Sequence, residues 1–208
     1  MPSPLRIAVL LSGGGRTLQN FIDLRARGEL PVEIPIVVAS RAGLQGTERA
    51  QAAGLPAAVV DRREFPHVAA FSDRVFALCD QANVDLICLA GWLCLLQIPD
   101  RYLGRILNVH PGLLPSFGGR GMYGRHVHQA VIDHGCKVSG CTVHFCDNTY
   151  DTGPIVGQRT VPVLDDDTAD TLAARVFEQE SIAYPEALRL YAQDRLKVEG
   201  RRVRTLPA

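Results

Sequence analysis

The chain has 208 residues, is 47% hydrophobic, and balances 22 basic against 22 acidic side chains with no long run of either sign. That size and hydrophobicity suit one sizeable domain with a real core, and the balanced charge argues against a broad nucleic-acid or membrane-surface footprint. The first residues lead into an apolar run too short for a signal sequence, nothing approaches a membrane span, and cytoplasmic residence is expected.

Taken in order, residues 6–11 read as a buried parallel strand running into Ser12-Gly13-Gly14-Gly15-Arg16-Thr17-Leu18-Gln19, where helical spacing begins with Leu18, Phe21 and Ile22. Glycines let a backbone approach an anion closely, and free N–H groups at a helix start suit a phosphate. The alternative is a ligand-free glycine turn. A second strand, 32–39, is interrupted by Pro35 and so is placed near a sheet edge. A short helix over 46–53 ends at Gly54, a brief strand follows over 56–60, and Val68, Phe71, Val75, Leu78, Cys79 and Ala82 mark a longer amphipathic helix. Residues 85–90 form a continuous apolar strand. Strands alternating with helices at this rhythm predict an α/β fold: a doubly wound, mostly parallel open sheet with helices on both faces, Rossmann-like in its N-terminal half.

After that strand, Gly91-Trp92-Leu93-Cys94-Leu95-Leu96 either floors a pocket for a flat heterocycle or is core packing. The strand 106–110 carries Asn108 and His110 on one face and Leu107 and Val109 on the other. Pro111 then ends the strand, which puts His110 at its mouth, where open α/β sheets bind ligands. A hydrogen-bonded core amide beside a surface histidine is the plainer reading of that pair. Residues 112–124 are too glycine-rich for a regular element and read as a mobile loop, and 126–134 as a helix with solvated histidines. The strand 138–145 puts Thr142, His144 and Cys146 on one face, where His144 lines the site or satisfies a neighbour. Asp151 precedes Gly153-Pro154 in a turn, a position where aspartate ordinarily caps backbone. One more strand spans 155–163. Thr168 opens a long helix with a stripe of Leu172, Val176, Phe177, Ala183, Tyr184, Ala187 and Leu188. Glu180 falls on or beside that stripe and needs a partner, and Pro185 is expected to kink or split the helix. None of the six cysteines forms C-x-x-C, so reduced thiols and no metal site are expected.

As a set these residues resemble the phosphoribosylglycinamide formyltransferases (glycinamide ribonucleotide transformylases) of purine synthesis. The resemblance rests on Ser12-Gly13-Gly14-Gly15 with Leu18-Gln19, Ala90-Gly91-Trp92, Asn108-Val109-His110-Pro111 with Leu113-Leu114-Pro115, Val143-His144-Phe145, and Tyr150-Asp151-Thr152-Gly153-Pro154-Ile155. It implies the formyltransferase fold as a single domain over 1–208, with a phosphate-binding half over 1–105 and a catalytic, folate-binding half over 106–208. It also implies transfer of a formyl group from 10-formyltetrahydrofolate, as co-substrate and without a metal, to the amine of N1-(5-phosphoribosyl)glycinamide. The catalytic residues so implied are Asn108, whose amide binds the formyl oxygen, His110 as general acid, and Asp151, which raises the pKa of His110. Gly14, Gly15, Arg16 and Thr17 would hold the substrate phosphate, Glu180 the ribose or amine end, and Leu93, Cys94, Leu95 and Leu96 with Asn108 the pterin. Small molecules are the implied partners of a monomer or homodimer.

The chain departs from the family pattern at Arg16 and Thr17, where members often have serine and asparagine, and at Cys94, where a basic residue is common. An arginine that many members use for the folate tail has no counterpart near residues 68–70, and Arg62 or Arg63 is the candidate replacement. The alternatives are a formyltetrahydrofolate hydrolase, which normally carries an added N-terminal domain, another formyl-folate-dependent formyltransferase, and a non-catalytic binding module.

Overall fold

An uninterrupted apolar run makes the central strand of the first half of the chain. In the computed structural model, which describes residues 4–207, β1 (Leu5–Leu11) keeps Ile7, Ala8, Val9, Leu10 and Leu11 wholly out of solvent. Such a strand is covered on both faces, as parallel strands generally are. The expectation about residues 1–3 lies outside the described residues. The chain divides into two units, the first ending at Leu107 and the second beginning at Asn108.

In the first unit β2 (Val32–Ala39), β3 (Ala57–Val59) and β4 (Leu86–Leu89) join β1 in a parallel sheet ordered β3-β2-β1-β4. Pro35 sits where the β1–β2 register slips, between Arg6 opposite Glu33 and Ala8 opposite Ile36. A bulge is where a strand can spare a backbone N–H, and β3 pairs β2 only from Val37 onward. α1 (Arg16–Ala26) buries Leu18, Phe21 and Leu24, and α3 (Val68–Gln81) buries Phe71, Val75 and Cys79 as the spacing predicts. Burying each of the large side chains contributes about 1.5–3 kcal/mol. Val68 and Leu78, expected in that stripe, are only half-buried, and Ser72 and Phe76 take the inner positions. Ser72 is tolerated there because its hydroxyl donates to the Val68 carbonyl and accepts from the Gln97 amide. α2 (Gln45–Ala52) packs on the glycine loop that precedes α1.

β5 (Ile106–His110) carries the boundary between the units. The second unit is ordered β5-β6-β7-β9-β8 and is where the sheet turns mixed. β6 (Val138–Phe145) and β7 (Ile155–Pro162) run antiparallel, as do β8 (Leu196–Glu199) and β9 (Arg202–Thr205), while β7 and β9 are parallel. α4 (Arg125–Asp133) and α5 (Ala169–Ala192) complete it. Thr168 caps α5 through a reciprocal pair with Thr171, and Leu172, Val176, Ala183, Tyr184, Ala187 and Leu188 are buried. The expected stripe holds except at Phe177, which is half-buried. The helix is not split at Pro185: it is continuous over 24 residues with that proline buried inside. Packing against β6 and β7 outweighs one missing backbone hydrogen bond.

Candidate active site

Every side chain of the polar cluster comes from the second unit. His110 ends β5 with 2% of its surface exposed, and its Nδ1 lies 3.5 Å from Oδ2 of Asp151. Its Nε2 is 2.9 Å from the Phe117 carbonyl oxygen. A carbonyl only accepts, so Nε2 carries the proton. Asn108, two residues earlier, donates its amide to Nε2 of His144 at 3.1 Å, while His144 Nδ1–H is held by the Phe145 carbonyl at 2.8 Å. His144 Nε2 also lies 3.6 Å from Oδ1 of Asp151. The strand face that carries His144 is therefore part of the cluster. One amide hydrogen on Asn108 is accounted for by His144, and the group has a second to offer.

Asp151 is held by its turn. Its φ is 57°, a left-handed conformation that aspartate tolerates better than most residues. The Asp147 carboxylate braces the same turn by accepting from the Thr149 amide and the Thr152 hydroxyl. Gly153 is required: a Cβ there would overlap the Phe145 carbonyl at the end of β6, and the Phe145 amide donates to the Pro154 carbonyl at 2.9 Å. The loop after His110 closes from the other side, with the Gly119 amide donating to Oδ2 of Asp151 at 2.9 Å. The glycine-rich loop thus enters the site with backbone groups.

Charge states follow from these contacts. Burial would push the Asp151 carboxyl up, but the hydrogen bond to His144, the nearby His110 and the Gly119 amide together hold it below the usual carboxylate range. For His110 burial dominates: it lowers the pKa of the ring, with His144 adding to the effect, against the upward pull of Asp151 and the Phe117 carbonyl. The expectation that Asp151 leaves His110 with a raised pKa is therefore overturned, because a cation in so buried a ring loses more hydration than one carboxylate at 3.5 Å restores. At neutral pH the site holds an ionised Asp151 facing a neutral His110.

His128 corrects a second expectation. Of the α4 histidines, His126 and His134 are exposed as expected, but His128 is 3% exposed, and its Nδ1 has no hydrogen-bond partner. Burial, with the charge of His110 adding to it, pushes its pKa down to about 4. Glu180 is half-buried on α5, and its charge raises the pKa of the Cys141 thiol, which burial already drives to about 12.

The remaining expected site residues lie in the first unit. Gly15, the residue before α1, has φ 70° and passes so close to α2 that an added Cβ would meet the Gly46 Cα at 2.6 Å. No side chain caps α1 and its first turn holds no acid, so the positive end of the helix dipole is not offset by a carboxylate of that turn. Arg49 donates to the Gly14 carbonyl at 2.9 Å and to Gln19 at 3.1 Å, fixing the loop. In the segment after β4, the Leu93 amide donates to Ser12 Oγ, Trp92 stacks on Phe71 with ring centroids 5.9 Å apart, and Leu93 is exposed. Cys94 and Leu95 are half-buried and Leu96 is buried. Arg63 is paired with Asp61, whereas Arg62 lies over the Phe71 ring and donates to the Phe65 carbonyl.

No helix among the described residues is long and apolar enough to cross a membrane. Residues 5–188 match the family described as "Formyl transferase". A phosphoribosylglycinamide formyltransferase from Haemophilus influenzae is 36% identical over 196 residues, a match covering 93% of this chain and 90% of that protein. The trifunctional purine biosynthetic protein adenosine-3 of Gallus gallus is 39% identical over 196 residues, and the match spans 93% of this chain but only 19% of that longer protein. A crystal structure of glycinamide ribonucleotide transformylase 1 from Symbiobacterium toebii superimposes with a TM-score of 0.93 at 41% identity, covering 100% of this chain and 96% of that one.

Proposed function

The chain belongs to the formyl transferase family, and from that premise we propose that it transfers the formyl group of 10-formyltetrahydrofolate to the amine of N1-(5-phosphoribosyl)glycinamide, in purine biosynthesis. What carries the reading is the meeting of Asn108, His110 and Asp151 in one unit, with His144 between the amide and the acid. An amine attacking a formyl carbon builds negative charge on oxygen, and the departing nitrogen needs a proton. The free amide hydrogen of Asn108 suits the first demand. His110 suits the second as a relay, since a neutral ring takes the proton that the attacking amine loses and passes it to the leaving nitrogen. Asp151 supports that step by stabilising the charged ring while the proton is in transit.

The first unit supports binding. The start of α1, uncapped and without an acid in its first turn, suits the substrate phosphate with Gly14, Gly15, Arg16 and Thr17, and the 93–96 segment offers apolar surface and main-chain groups to a pterin. Glu180 is assigned to the ribose or amine end. The reaction as proposed uses no metal and involves no nucleic acid, and the enzyme works in the cytoplasm as a monomer or homodimer.

The test is to supply formyl-folate with and without glycinamide ribonucleotide and to follow both formylated product and free formate. Product that depends on the amine supports the transferase. Formate release at the same rate without it would establish the hydrolase reading instead.

A further inference from the structure

Thr142 and Gln158 stand directly opposite each other on the antiparallel pair β6–β7. Neither belongs to the cluster around His110, yet both bind the main chain that leaves it. The buried Thr142 hydroxyl donates to the Gly112 carbonyl at 2.7 Å and accepts from the Leu114 amide at 3.0 Å. Gln158 Nε2 donates to the Leu114 carbonyl at 2.9 Å and to Thr142 Oγ1 at 3.0 Å. The orientation of the Gln158 amide follows from its partner, because the Leu114 carbonyl only accepts. With one hydrogen given and two received, the Thr142 hydroxyl is fully used.

We propose that Gln158, acting with Thr142, is a positioning residue for His110. The pair fixes the Gly112 carbonyl and both backbone groups of Leu114, which bracket the turn between His110 and the Phe117 carbonyl that holds its Nε2. Side chains at i and i+2 share a strand face, so β6 grips this turn through Thr142 and grips Asn108 through His144. One strand therefore sets the placement of both the amide and the imidazole. Gln158 itself is an exposed residue whose amide bridges the turn to that strand.

This inference rests on the formyl-transfer reading for its kinetic arm only. The test compares Gln158→Glu, which keeps size but loses the donor, with Thr142→Val and the hydroxyl-retaining Thr142→Ser. Expected are a kcat lowered roughly tenfold in Gln158→Glu and Thr142→Val, with KM for both substrates within about twofold and recovery in Thr142→Ser, since small misplacements of a reacting group are costly. The His110 imidazole signals of labelled protein should shift in Gln158→Glu while the thermal midpoint stays near wild type. Wild-type kcat together with unchanged His110 signals in Gln158→Glu overturns the proposal even if Thr142→Val fails to fold. If the wild-type protein transfers no formyl group, the function falls, and the His110 signals of Gln158→Glu alone decide the positioning.

Discussion

The two units meet their chemical tasks with different materials. In the first, the candidate anion site is main chain: an uncapped helix start, a left-handed glycine, and an arginine that braces a carbonyl. In the second, the candidate reaction centre is side chain: two imidazoles, an amide and a carboxylate, each fixed by contacts with the others or with nearby backbone. Backbone donors do not change with sequence, whereas a side-chain cluster fails when one member changes. On the proposed reading, a loop reading Gly14-Gly15-Arg16-Thr17 would hold a phosphate through main-chain donors and so tolerate changes of side chain, whereas the Asn108, His110 and Asp151 set would have no such latitude.

Substitutions rank accordingly. The largest expected effect is in the second unit: His110→Ala or Asp151→Asn should lower kcat by about 10²–10⁴ with the fold intact by circular dichroism. Turnover within a few-fold of wild type would remove the contrast. Next comes His128, a neutral buried imidazole. Its folded pKa, about 4, lies below the 6.5 of the unfolded chain, so the stability it contributes is complete above pH 6.5 and is lost as pH falls toward 4. That loss amounts to about 2–3 kcal/mol. Urea denaturation at pH 7.5 and pH 5 should show a steep decline in wild type and a flatter one in His128→Phe. In the first unit, Gly15→Ala should cost about 1–2 kcal/mol in stability from its left-handed backbone alone and raise KM for the phosphorylated substrate. Arg16→Ala or Thr17→Ala should change that KM only a few-fold, since each keeps its N–H; this corresponds to less than about 1 kcal/mol. A hundredfold rise on losing either side chain would place phosphate recognition on side chains after all.

Much of this organisation was legible in the residues. The apolar runs of β1 and β4 have no other stable fate, and Pro111 marked the end of β5 because proline cannot continue a central ladder. The pairing of Asn108 with His110 followed from strand alternation, and their meeting with Asp151 only from the family resemblance. What escaped the reading depended on burial. His128 lies one residue after Val127 and three before Val131, so it shares their inward face, a signal present in the helical spacing but outweighed by the usual exposure of histidine. The direction of the His110 shift needs the ring's lost hydration, which no motif encodes. The β8–β9 hairpin turns at Gly200 with φ 61°, and its short alternation of Leu196, Val198 and Val203 among charged residues gave too weak a pattern.

The ring of His110 sits between two oxygens, the Phe117 carbonyl and the Asp151 carboxylate, and neither has a hydrogen to give it. While neutral, it must leave one nitrogen lone pair turned toward an oxygen. Once charged, it satisfies both oxygens but gives up what little water reaches it. Burial tips this balance toward the neutral ring, so a proton that arrives there is handed on more readily than it is kept.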